Sequence, residues 1–163
     1  MLASEYLVEA VYGQVSLALA DALCAFWLAN GAISDSAEAL RRASEVVIVA
    51  RTPAGEIVGV NSVYPGRFSD SAQNYHFYRL FIRSSDRVRG LGSRMTRAAA
   101  DCLRQRQDGM AGMALITENP KLMERGGQRL LQRLGWEYAG RGLLGRDVWK
   151  IDFHALPETR TQP

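Results

Sequence analysis

An apolar strand that leads directly into a glycine-containing helix start constrains this chain more than any other feature. The strand covers Tyr78 to Ile82, and the pattern Arg87-x-x-Gly90-x-Gly92 lies between it and a predicted helix. Glycine allows a tight backbone turn and the close approach of a ligand. The free N–H groups and the dipole of a helix N-terminus favour an anion there. The segment therefore predicts a strand–loop–helix unit that binds an anionic ligand.

The remaining elements predict an α/β domain (α+β layered), in which helices and a sheet form separate layers. Residues 4–30, rich in Ala and Leu, predict one long helix or two consecutive helices, so we interpret residues 1–33 as an N-terminal helical segment. Ser34-Asp35-Ser36 caps a second helix that runs through Arg42. The predicted order continues with strands at 45–51 and 56–63, a polar loop at 64–74, the central strand at 75–83, a helix at 91–106, a strand at 110–117, a helical region at 119–134 and a hairpin of strands at 136–139 and 147–153. We expect a single domain over residues 1–163, with a disordered tail at 156–163.

Composition restricts the class of protein. A chain of 163 residues, 47% of them hydrophobic, can bury one core. Cys24 and Cys102 lie in apolar stretches without metal-ligand spacing, so we expect buried thiols in a reducing cytoplasm and no metal site. The apolar run at 15–29 follows two acidic residues and contains a third, which argues against a targeting or membrane segment.

Charge is distributed unevenly along the chain. Residues 1–78 contain four Arg and eight Asp or Glu, a net charge of −4, whereas residues 79–163 contain sixteen Lys or Arg and nine Asp or Glu, a net charge of +7. Arginine binds phosphate through planar, bidentate contacts. The second half therefore suits a phosphate-bearing cofactor or a nucleic acid, and solvated arginine-rich helix faces are the alternative explanation.

The segment from Ile82 to Gly92 resembles the pyrophosphate-binding loop of the GCN5-related N-acetyltransferase (GNAT) superfamily, whose signature is Gln/Arg-x-x-Gly-x-Gly/Ala. The likeness to the histone-acetyltransferase branch extends residue type by residue type along this stretch. It implies a mixed, mostly antiparallel sheet that is splayed at its central strands and flanked by helices. The superfamily opens with a strand before its first helix. We identify none here, so either the strand is absent or a partner chain in a homodimer supplies it.

The resemblance implies acetyl-CoA as co-substrate and a set of residues that hold it. The pantetheine arm is expected along the end of the central strand, the pyrophosphate over the loop and the helix start, and an asparagine after the fifth predicted strand is expected to contact the arm or an ordered water. The matching residues are Phe81, Ile82, Arg83, Arg87, Val88, Arg89, Gly90, Leu91, Gly92, Ser93, Arg94 and Asn119.

Transfer of an acyl group to an amine also requires a proton acceptor. The histone-acetyltransferase branch has a glutamate six residues before the position that matches Ile82, and this register places His76 there. An imidazole titrates near neutral pH and can replace it, directly or through water. Glu118 is the second candidate base. The alternatives are a histidine that packs within the sheet and a solvated carboxylate.

The superfamily's usual acid, a tyrosine four residues before a Gly-Phe/Trp pair, is missing, because Leu131 stands at that distance from Gly135-Trp136. Another tyrosine could supply the proton, namely Tyr64, Tyr75, Tyr78 or Tyr138, or the thiolate leaves without an acid. We therefore expect an N-acetyltransferase that uses acetyl-CoA and a primary amine. A similar enzyme acting on a nucleic acid or an aminoacyl-tRNA, and a non-catalytic CoA-binding scaffold, are the alternatives.

Overall fold

A computed structural model describes residues 1–68 and 71–153. The described residues divide into two compact units, residues 1–64 with 77–107 and residues 65–68 and 71–76 with 108–153. The strands are β1 (Leu7–Ala10), β2 (Val46–Arg51), β3 (Ile57–Gly66), β4 (Tyr75–Ile82), β5 (Gly112–Ile116), β6 (Glu137–Arg141) and β7 (Asp147–Asp152). The helices are α1 (Leu17–Ala29), α2 (Ser36–Ala43), α3 (Leu91–Arg106), α4 (Pro120–Met123) and α5 (Arg125–Arg133).

The first unit has the strand order β1-β2-β3-β4. β1 pairs antiparallel with β2, with Val8 opposite Ala50, and β2 pairs antiparallel with β3, with Val49 opposite Val60. The first five residues of β2 are completely buried, which explains why they form an unbroken β-branched and Ala run. The sequence therefore places β2 in the interior of this sheet.

Helices α1 and α2 cover one face of this sheet. Ser16 begins α1 by accepting a hydrogen bond from the Leu19 N–H at 3.1 Å, and the helix ends at Asn30, as predicted. Asp35 caps α2 through the N–H groups of the first turn. The buried residues that form this core are Leu23, Phe26, Trp27, Ala39, Ala43, Val46, Val49 and Val60.

The prediction of an all-helical N-terminal segment is wrong. A strand, β1, precedes α1, and the segment begins with a single 3₁₀ turn at Ala3–Glu5. This chain therefore supplies the opening strand that the sequence did not reveal, and no partner is needed to provide it. β1 is short and mostly exposed, so it lacks the alternating pattern that identifies a half-buried strand, and its pairing with β2 defines it.

The second unit has the strand order β5-β7-β6, and both pairings are antiparallel. Its buried residues include Trp136 and Trp149. Gly112 of β5 allows close pairing, since a Cβ there would lie 1.9 Å from the Ile151 carbonyl oxygen. The predicted helical region at 119–134 is interrupted at Glu124, between α4 and α5.

The other predicted boundaries hold to within a few residues, and α3 spans the predicted range. β3 continues into the predicted polar loop, as far as Gly66. Both cysteines are free but only partly buried, less than we expected. The predicted tail at 156–163 lies outside the described residues. Within residues 1–68 and 71–153, we find no helix with the length and the hydropathy needed to cross a bilayer.

Candidate functional site

The last strand of the first unit, β4, changes character along its length. Phe77 and Tyr78 are buried, whereas the four residues from Arg79 to Ile82 are partly or largely exposed. Two main-chain carbonyls of this stretch accept hydrogen bonds from side chains, that of Arg79 from Asn61 Nδ2 at 3.1 Å and that of Ile82 from Arg87 Nε at 3.1 Å. This half of β4 is therefore more open to solvent than the first half, while Phe81 packs edge-on against Phe26 of α1.

The loop after β4 is organised around one buried carboxylate, that of Asp86. Its Oδ2 accepts hydrogen bonds from Arg83 Nε at 2.6 Å and from Ser85 Oγ at 2.8 Å, and its Oδ1 accepts one from the Tyr6 hydroxyl at 3.0 Å. Burial alone would raise the pKa of Asp86, but these three hydrogen bonds favour the carboxylate and together lower its pKa. Burial, and then the hydrogen bond to the same carboxylate, raise the pKa of Tyr6. The loop thus has an ionised anchor at neutral pH.

The N-terminus of α3 follows this loop without a side-chain cap. Gly90 occupies the N-cap position with φ of 93°, a left-handed conformation that favours glycine. The first N–H groups of any helix lack partners within the helix. At Gly92, in the first turn, a Cβ would meet only Leu80 and Ile82 side-chain atoms at 3.5 Å and 3.7 Å. The turn therefore presents main-chain donors with little side-chain cover, as an anion site requires.

Hydroxyl groups connect β4 to this turn of α3. The Tyr78 hydroxyl lies 2.8 Å from Thr96 Oγ1, and Thr96 Oγ1 donates to the Gly92 carbonyl oxygen at 2.9 Å. Burial raises the pKa of Tyr78, so its phenol stays protonated. These bonds hold the start of α3 against the strand that precedes it.

The predicted residues around this loop differ in their surroundings. Leu91 is completely buried under the first turn, whereas Arg87 and Arg89 are exposed. Arg94 turns its guanidinium to the N-terminal segment, where Nη1 donates to the Ala3 and Tyr6 carbonyl oxygens. The exposed pair of arginines is thus better placed than Arg94 to meet an anion from solvent.

The two candidate bases lie in the second unit and differ in exposure. His76 is only 4% exposed, and its Nε2 is 3.0 Å from Asp108 Oδ2. Asp108 is itself held by the Met110 N–H, which donates to Oδ1 at 3.2 Å. Glu118 is exposed, with its Oε1 2.6 Å from Arg146 Nη1. His76 is thus an oriented, enclosed imidazole, and Glu118 is an accessible carboxylate in an ion pair.

The other predicted residues of the second unit make contacts that stabilise the fold. Asn119 caps α4 by accepting the Lys121 N–H at 3.0 Å, and Leu131 is a buried core residue. The Tyr75 hydroxyl donates to Asp152 at 2.8 Å and the Tyr138 hydroxyl to an aspartate carboxylate at 3.3 Å. Within residues 1–68 and 71–153, no three His, Cys, Asp or Glu side chains are arranged to hold a metal ion.

Comparison with known proteins identifies the family. The sequence profile of the acetyltransferase (GNAT) family matches residues 17–136, most of the chain. The chain belongs to the acetyltransferase (GNAT) family. This confirms the resemblance found in the loop from Ile82 to Gly92. No curated protein sequence matches the chain significantly.

Solved structures of other GNAT proteins share this fold. A GNAT superfamily phosphinothricin acetyltransferase from Sinorhizobium meliloti, in complex with acetyl-CoA, matches with a TM-score of 0.66 and 13% identity over 91% of this chain and 88% of its own. The yncA protein of Salmonella typhimurium, with its cofactor acetyl-CoA, matches with a TM-score of 0.61 and 16% identity over 94% of this chain and 98% of its own. A GCN5-related N-acetyltransferase from Kribbella flavida matches with a TM-score of 0.60 and 16% identity over 91% of this chain and 98% of its own. These similarities confirm the predicted fold class, a mostly antiparallel sheet flanked by helices.

Sequence reasoning missed several residues that shape the loop of this GNAT domain. Asp86 and Thr96 lie in or near the recognised motif, but neither is one of its signature positions, and Asn61 lies on β3, well before the motif. Tyr6 precedes the part of the chain that matches the family profile. Only a polar residue at a buried position could have signalled them, and burial is not readable from one sequence.

Proposed function

We propose that this protein is an acyl-CoA-dependent N-acetyltransferase that transfers the acetyl group of acetyl-CoA to a primary amine by direct attack. The observation that carries the proposal is the open second half of β4, followed by an uncapped glycine helix start, in a member of the GNAT family. The solved GNAT proteins that contain acetyl-CoA support this choice of co-substrate. Its two free thiols suit a reducing compartment, and we propose the cytoplasm.

The residues near β4 fit acetyl-CoA. The partly exposed stretch from Phe81 to Arg83 is proposed to offer main-chain groups to the pantetheine arm, and Asn119 is a further proposed contact. The proposed donors for the pyrophosphate are the N–H groups between Val88 and Ser93 other than those of Val88 and Leu91, which donate to carbonyl oxygens of the loop itself. The Leu91 side chain is buried beneath them. The exposed side chains of Arg87 and Arg89 add positive charge near the pyrophosphate. Arg94 instead donates a hydrogen bond to the Tyr6 carbonyl oxygen and so links α3 to the N-terminal residues.

Acetyl-CoA supplies an acetyl thioester, whose carbonyl carbon is the atom that the amine attacks. A main-chain N–H at Phe81 or Ile82 polarises its carbonyl. The amine nitrogen forms the new C–N bond, the C–S bond breaks, and its electron pair leaves with the thiolate of coenzyme A. The proton that the amine loses passes through water to His76 or Glu118. We assign no tyrosine as acid, since Leu131 occupies its usual position and is buried.

The enclosed position of His76 shapes its proposed role. At 4% exposure it can exchange protons with the amine only through an intervening water, while Asp108 fixes the ring orientation and stabilises the imidazolium. Glu118 needs no such relay, because its side chain is exposed, and its carboxylate is paired with Arg146. Both assignments are testable by single substitutions.

Turnover with free amines tests the proposed function. The purified protein is incubated with acetyl-CoA and a panel of primary amines, and release of the coenzyme A thiol is followed against protein without amine, which corrects for Cys24 and Cys102. We expect amine-dependent release, reduced by about 10²- to 10⁴-fold in whichever of His76→Ala and Glu118→Gln removes the base. If the protein binds acetyl-CoA but none of the amines causes release of the thiol, the protein is instead the non-catalytic CoA-binding scaffold.

A further inference from the structure

The N-terminal segment, residues Ala3 to Tyr6, contacts the loop and the helix that we propose to hold the pyrophosphate. The Tyr6 side chain is 3% exposed, and its hydroxyl donates to Asp86 Oδ1 at 3.0 Å, across 80 positions of sequence. A buried tyrosine hydroxyl bound to a buried carboxylate is a directional contact that orders both partners.

A second contact lies on the other side of the glycine pattern. Arg94, in the first turns of α3, donates through Nη1 to the Ala3 carbonyl oxygen and to the Tyr6 carbonyl oxygen, the latter at 3.2 Å. Between these points, a Cβ on Gly90 would lie 3.6 Å from the Ala3 Cβ, which places Ala3 in van der Waals range of the helix N-cap. The segment therefore touches the loop before, at and after its left-handed glycine.

These contacts add to other anchors of the loop. The other two donors to Asp86, Arg83 and Ser85, belong to the loop itself and close it locally. Arg83 also joins the loop to β3, since its N–H donates to the Val58 carbonyl oxygen at 2.8 Å, and its guanidinium lies 3.6 Å from the glutamate that precedes β3. Tyr6 connects that closed loop to the start of β1, which is paired with β2. Pre-ordering of a binding loop increases affinity because less conformational entropy is lost when the ligand binds.

We propose that Tyr6 is a positioning residue for acetyl-CoA, holding the pyrophosphate loop in its binding conformation through Asp86. The inference rests on the proposed function and extends it to a segment outside the family match. Tyr6 touches no reacting atom in this account. Its effect is on the affinity for acetyl-CoA, through the order of residues 87–93.

Tyr6→Phe tests this inference, with Tyr12→Phe as the matched control. Tyr12 lies in the same N-terminal region, and its ring contact with Arg106, 4.5 Å from guanidinium carbon to ring centroid, survives the loss of the hydroxyl. Acetyl-CoA affinity is measured by calorimetry, and amide hydrogen exchange is measured without ligand. We expect Tyr6→Phe to raise the Kd about tenfold, equivalent to ~1.4 kcal/mol, and to accelerate exchange at residues 87–93, with Tyr12→Phe like wild type.

The outcomes separate this inference from the proposed function. Wild-type protein that is folded yet does not bind acetyl-CoA contradicts the proposed function and this inference with it. If the wild type binds and Tyr6→Phe binds equally well, with unchanged exchange in the loop, Tyr6 has no positioning role and the proposed function stands. A lower melting temperature in Tyr6→Phe with an unchanged Kd also overturns the inference, since it indicates a purely structural contact. The double variant Tyr6→Phe/Asp86→Asn should be less than additive in Kd, because both changes act on one hydrogen bond.

Discussion

The two glycines of the pattern should respond oppositely to alanine. Gly90 has φ of 93°, and a Cβ there would meet only Ala3 at 3.6 Å, so backbone strain and not a clash sets its cost. A left-handed conformation costs an ordinary residue roughly 1–2 kcal/mol. Gly92 has helical geometry with ordinary contacts at 3.5 Å and 3.7 Å, so Gly92→Ala gains up to about 1 kcal/mol of helix propensity.

The assay is reversible thermal unfolding of both variants beside wild type, in one buffer and without ligand. For a chain of this size, 1 kcal/mol corresponds to about 2–4 °C in Tm. Gly90→Ala should therefore lower the Tm by roughly 2–8 °C, and Gly92→Ala should raise it by up to about 4 °C. A neutral Gly90→Ala would refute the left-handed N-cap, and a destabilising Gly92→Ala would refute the open first turn of α3.

Three further changes test the surroundings of the loop and the second unit. Asp86→Asn should be less stable than wild type at neutral pH, and the difference in Tm should narrow below about pH 4, since a lowered folded-state pKa gives stability that is lost as the pH falls through it. Thr96→Val removes the hydrogen bonds to Tyr78 and to the first turn of α3, and denaturant unfolding should show a loss of about 1–3 kcal/mol. Gly112→Ala should abolish cooperative unfolding of the second unit, because its Cβ would lie 1.9 Å from the Ile151 carbonyl oxygen. The first prediction is contradicted if the Tm difference of Asp86→Asn is the same at all pH values. The second is contradicted if Thr96→Val unfolds as wild type does, and the third if Gly112→Ala folds normally.

Local signals made most of the fold predictable. The helix α3 was predicted at its observed bounds because Gly90 precedes it and Asp108-Gly109 follow it closely. β1 was missed because only its pairing with β2 creates it, and such long-range pairing leaves no local pattern. The break in the helical region at 119–134 lies at Glu124, and Gly127 is needed in α5 because a Cβ there would lie 2.3 Å from the Lys121 carbonyl oxygen.

The candidate site was predictable only where a motif carries it. The loop from Arg87 to Gly92 has a recognisable spacing, so its place between a strand and a helix followed from the sequence. The anchoring of Asp86 by Tyr6 joins residues 80 positions apart, and no periodicity links them. The burial of His76 likewise depends on the residues packed around it, so the sequence could name the imidazole but not its pairing with Asp108.

Acetyl-CoA binding by isothermal calorimetry tests the central claim most directly, with wild type compared with Gly92→Glu and Gly126→Glu. Gly126 is an exposed residue in the first turn of α5 with no atom near its Cβ position, so it is a matched control for an added carboxylate at a helix start. In Gly92→Glu, a carboxylate about 5 Å from a phosphate charge opposes binding by ~3 kcal/mol, or more than 100-fold. We predict binding by wild type and Gly126→Glu and its loss in Gly92→Glu. Folded wild-type protein that does not bind, or Gly92→Glu that binds as wild type does, would contradict the account.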